Sequence, residues 1–158
     1  GNTTGADQAG SNVPLDYVVH DGDVLFSWSG TLEAEIWCGG TGALNQHLFK
    51  VTSETFPKWL YFYAIREHLP FFRQIASGKA TTMGHIQRHH LTEAKVALPG
   101  AKILAGADTL MAPLLDRQVK AALESRALGD LRDNLLPKLI SGELRVPEAE
   151  DMLARSSI

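Results

Sequence analysis

Apolar residues follow a long helical period over 107–146 and shorter, mixed patterns before it. In the C-terminal arm they recur in steps of three and four: Met111, Leu115, Val119, Ala122 and Leu123, then Ala127, Leu131, Leu135 and Leu139. That period puts them on one face of a helix. Asp116, Arg117, Lys120, Glu124, Arg126, Asp130 and Arg132 fall largely elsewhere around it. Asp108 or Thr109 can cap its start, with Pro113 near its first turn, and Gly142 can stop it. Gly129 costs roughly 1 kcal/mol relative to Ala, and Pro137 predicts a kink near Asn134. An apolar stripe must be buried, either on its own domain or against another helix.

The preceding stretch predicts short strands at Tyr17–Val19, Val24–Trp28, Ile36–Cys38, Leu44–Val51 and Ala94–Leu98, with a turn at Asp21-Gly22-Asp23. Pro57 opens a helix over 58–69, Pro70 is expected to break it and start a second over 71–76, and 86–91 form a helical turn. Trp59, Leu60, Phe62, Tyr63 and Ile65 read as core rather than as a base-stacking platform. The expected fold class is α+β: a mixed α/β globular region over 14–104, then a long helix over 105–146 that pairs with another helix. Residues 1–13, with almost nothing to bury, are expected to be disordered or a tag remnant. Residues 147–158 are expected to fray.

Composition adds limits. The length suits one domain plus an appendage. The lone Cys38 excludes an internal disulfide and fits a reducing cytoplasm. Neither a membrane-length apolar run nor a signal peptide is found. The net charge of −3 hides a split. Residues 1–43 carry six acids and no Lys or Arg, whereas 44–105 carry eight basic residues against three acidic ones. Five of the six His also lie in that middle third, which can bind phosphates on an acidic chain.

Several stretches invite chemistry. Gly39–Gly42 could cradle a phosphate, but no Gly-Lys-Ser/Thr follows, and a hairpin loop is the plainer reading. Asn45 and Gln46 could face an adenine edge. Ser77 to His85 is the most suggestive loop: its glycines let backbone N–H groups approach a phosphate, and Lys79, Thr81 and Thr82 add donors. His85 and His89 share a helical spacing, with His90 beside them, but no third ligand has diagnostic spacing and no metal is assigned. Ser27 and Ser29 lie in no nucleophile elbow, so no catalytic residue is assigned.

Four stretches in order, DGDVLFSWSG at 21–30, ALNQHLFKV at 43–51, SGKATTMGHIQRHHL at 77–91 and LRDNLLPKLISGELRV at 131–146, resemble specificity (S) subunits of Type I restriction-modification systems. The resemblance spans most of 16–146. It departs at Pro99-Gly100-Ala101-Lys102, where many members have a Pro-rich turn with a Glu-Gln pair. It implies a partial DNA target recognition domain that reads one half of a bipartite site, then a spacer helix that docks methyltransferase subunits. The second stretch occurs in members with different targets, which points to scaffold rather than base reading there.

On that resemblance the chain is a non-catalytic, cytoplasmic specificity subunit acting on double-stranded DNA. Its partners are M (methyltransferase) subunits using S-adenosylmethionine and an R (restriction) subunit using ATP and magnesium. Lys79, Thr81, Thr82 and His85 are expected to face the duplex with Ser29 and Gly30 as neighbours, and base choice is expected within 31–43. Leu115, Val119, Leu131 and Leu135 are expected to form the helix interface. Only 21 residues precede the GDVLFSW strand, so an open sheet edge, exposed apolar surface and an antiparallel homodimer are expected. Two alternatives stand beside this: a helix-mediated assembly or regulatory protein without DNA binding, and a hydrolase using the His cluster.

Overall fold

Strand β2, Val24–Ser27, sits at the centre of a three-stranded antiparallel sheet of order β3-β2-β5, with β3 at Ala34–Ile36 and β5 at Leu48–Val51. Phe26 pairs with Ala34 on one side and Phe49 on the other, and Val24 with Ile36 and Val51. A two-stranded ribbon joins β1, Val18–Val19, to β4, Gly42–Ala43. The computed structural model describes residues 13–78 and 84–156 and divides into two compact units, 1–119 and 120–158. The class is α+β, as expected.

In the first unit, helix α1, Lys58–Ser77, covers the sheet. Trp59, Phe62, Leu69, Phe72 and Ala76 form its buried face and join Val24, Phe26, Leu32 and Ala34 in one core. Phe26 and Phe72 meet at 5.9 Å between ring centroids. Contrary to expectation, Pro70 does not break this helix. Pro removes one N–H and crowds the preceding turn, but Leu69 and Phe72 on either side are buried, and two such side chains contribute on the order of 4 kcal/mol.

Other expectations need correction. Residues 44–47 form a turn rather than a strand because Asn45 Oδ1 accepts the His47 N–H at 2.6 Å. Residues 94–98 form no strand; the ring of His68 reaches the Lys95 carbonyl at 3.2 Å, so this segment lies along α1. Helix α2, Arg88–Glu93, precedes it. Helix α3 runs Ala101–Ser141 and starts well before Asp108, because Leu104, Ala107, Met111, Ala112 and Leu115 pack on the first unit's core. Asp108 is no cap: its carboxylate accepts the Trp59 indole N–H at 2.7 Å and ties α3 to α1.

In the second unit α3 ends where Gly142 turns left-handed, at φ 75°. The tail is not frayed over its whole length, since Val146–Ser156 forms helix α4. Glu148 reaches back to accept the Arg145 N–H at 3.1 Å, half of a capping box, with Pro147 in the first turn. Among the described residues no helix is long and apolar enough to cross a membrane.

Candidate functional site

The stretch after β2 and the stretch after α1 are far apart in sequence and adjacent in space. Ser29 and His85 form an isolated antiparallel bridge. Gly30 N–H donates to the Gly84 carbonyl at 3.0 Å, and Ile86 N–H donates to the Trp28 carbonyl at 3.1 Å. Gly30 makes this turn with φ 69°, in the left-handed region that favours glycine. Gly84 is needed for another reason. A Cβ there would stand 2.8 Å from the Ala76 carbonyl oxygen, so only glycine lets the loop pass the end of α1. Arg73 of α1 holds the other side: its Nε and Nη2 donate to the Leu32 carbonyl at 3.1 and 2.9 Å, and it pairs with Glu33.

Around this joint lies a cluster of rings. Trp28 stacks on Phe49 at 6.3 Å, lies 5.9 Å from the His47 ring, and takes His85 edge-on at 6.2 Å. The Trp28 indole donates to the Gln46 carbonyl at 3.2 Å. A hollow of about 320 Å³ opens here, lined by Trp28, Phe49, His85, Ile86, Arg88 and Leu91 among others.

Ser29 is buried, and its hydroxyl lies 2.8 Å from His47 Nδ1. The Gln46 side-chain amide donates toward His47 Nε2 at 3.2 Å. The Ser29–His47 contact ties the stretch after β2 to the turn before β5. The other histidines separate by role. His90 is buried, and its Nδ1 accepts the Gln87 N–H at 2.9 Å in a capping box that starts α2. His85 and His89 are exposed. Among the described residues no three metal-ligating side chains gather.

Of the residues singled out from the sequence, Ser29, Gly30 and His85 come together here. Lys79, Thr81 and Thr82 lie outside the described residues. Leu115 is a core residue of the first unit, whereas Val119, Leu131 and Leu135 are half-buried on α3. Within 31–43, the Gly40 N–H is already taken by the Asp21 carboxylate at 2.7 Å, and a Cβ on Gly39 would collide with Trp37. That loop is folded under an indole and carries an acid, unlike a phosphate cradle. Sequence reasoning missed His47 and Arg88, both within the stretches that carried the resemblance, because a side chain's partners do not show in spacing.

Two known proteins align with parts of this chain. One, the Type I restriction enzyme EcoBI specificity subunit of Escherichia coli, is 25% identical over 149 residues, covering 90% of this chain and 31% of that protein. The chain is similar to Type I specificity subunits. The Type I restriction enzyme MjaIX specificity subunit of Methanocaldococcus jannaschii is 32% identical over 74 residues, 47% of this chain and 17% of that protein. The specificity-subunit-like chain thus spans under a third of the length of these relatives. No family model and no solved structure matches it.

Proposed function

We propose that this chain is a DNA-recognition piece of a Type I restriction-modification system, with no chemistry of its own. The first unit reads duplex DNA through the face around the Ser29–His85 bridge, while α3 and α4 supply docking surface for M subunits. The observation that supports it best is the joint itself: Gly30–Gly84 and Ile86–Trp28 hydrogen bonds bring two specificity-subunit-like stretches into one surface. Methyl transfer and cleavage belong to M and R partners, which bring S-adenosylmethionine, ATP and magnesium.

Assembly without DNA binding is favoured by one observation of its own. In the second unit Leu128, Leu136 and Ile140 are exposed, at 58%, 49% and 78%. Duplex binding across a salt titration, with and without M subunits, separates the readings. Recognition predicts affinity that falls steeply with salt, and Lys79→Ala lowers the salt slope by about one. M-subunit capture with no duplex binding at low salt, alone or together, leaves assembly as the function.

A further inference from the structure

Arg88 opens helix α2, and its side chain is exposed. Among the described residues it has no ion pair, hydrogen bond or ring partner. The contrast with Arg73 is sharp, because that guanidinium is spent on Leu32 and Glu33. Arg88 lines the 320 Å³ hollow beside Trp28, Phe49 and His85, and no residue described in that lining is acidic. Phe49 is 46% exposed although it stacks on Trp28. A cation unpaired among the described residues, the exposed Phe49 ring and no carboxylate in the described lining suit one ligand chemistry: a sugar joined to an anion.

We propose that Arg88 and the Phe49–Trp28 wall form a nucleotide-holding subsite, with the guanidinium on a DNA backbone phosphate and the rings against the attached deoxyribose. This rests on the DNA-recognition reading above and adds three residues to it. Arg presents a planar fork that matches phosphate oxygens, and a ring packed on a deoxyribose is indifferent to the base it carries. The subsite therefore positions the duplex and leaves base choice to other residues. His85 stands on the same wall, one residue from Gly84, so the clasp sets where the phosphate rests.

The test measures duplex affinity of the full chain over a salt series for wild type, Arg88→Ala, Arg88→Lys, Phe49→Leu and Arg117→Ala. Arg117 is an exposed cation on α3 and serves as the control. Arg88→Ala should weaken binding about tenfold and lower the salt slope by about one. Arg88→Lys should restore the slope but not the full affinity. Phe49→Leu should weaken binding with the slope unchanged. Thermal melting should show all variants folded, since all three positions are exposed. If wild type binds and Arg88→Ala binds equally, or no worse than Arg117→Ala, the subsite is wrong while DNA recognition stands. If wild type fails to bind duplex at low salt, both fall. Competition with a free mononucleotide and a poly-glutamate peptide forms the last arm. Displacement by the peptide as effective as by the nucleotide would overturn the nucleotide assignment.

Discussion

Gly84 carries more of the site than any charged residue does. It has no side chain to offer, yet a Cβ there would stand only 2.8 Å from the Ala76 carbonyl oxygen. Gly84→Ala must therefore push the loop off the end of α1 and pull His85 away from Ser29. A clash with backbone cannot be relieved by a rotamer change, so the expected cost is about 1–3 kcal/mol. Chemical denaturation would measure it, and Gly30→Ala offers a comparison in which strain comes from φ instead of collision. At this scale the sequence was informative about which stretches matter and silent about how. The Gly-His pair at 84–85 and the Ser-Gly pair at 29–30 were visible as loop residues. Their hydrogen bonds were not, because two loops without periodicity carry no register of their own.

Helices show the same division. Helix α1 is legible as apolar and helical, but Pro70 reads as a boundary, since local chemistry alone ends a helix there. Burial of Leu69 and Phe72 overrides it. The expected helix begins at 105, whereas α3 begins at Ala101, because Leu104 and Ala107 attach to a core that the sequence alone does not display. Leu115, chosen for an interface, lies in that core; a periodic stripe tells that a face is covered and not by what. Gly129 gives a clean test of helical stability in α3. A Cβ there meets nothing within 4 Å, so Gly129→Ala should stabilise the helix by about 0.5–1 kcal/mol through propensity alone. Denaturation followed by circular dichroism would show a higher midpoint; a loss would mean that the open face of Gly129 is needed for association.

For the molecule as a whole, the question is what meets its uncovered apolar surface. Strand β5 is an edge strand. Beside it a hollow of about 580 Å³ is lined by Phe26, Val51, Tyr61, Ile65, Phe72 and Val96 among others. In the second unit Leu128 is exposed, and Leu131 and Leu135 follow it at steps of three and four. Self-association through this stripe is the expected behaviour of the chain without partners. Each Leu buried there contributes on the order of 2 kcal/mol, so Leu131→Glu with Leu135→Glu should abolish it. Sedimentation of wild type should show a mass that rises with concentration, and the double variant a monomer. A monomeric wild type at high concentration, with M-subunit capture intact in the double variant, would remove this stripe from any interface. Leu115→Glu belongs to a different experiment, because its place in the core predicts unfolding.

The Ser29–His85 bridge also has a consequence in time. It joins residues 56 positions apart, with α1 between them, whereas β2 meets β3 through a short loop. Closing the longer loop costs more chain entropy, so the bridge is expected to form after the sheet and to open before it. The amides of Gly30 and Ile86 should then exchange with solvent together, and sooner than those of β2. A duplex that rests on this clasp would find it shut only part of the time, and binding would slow both its opening and the exchange of these two hydrogens.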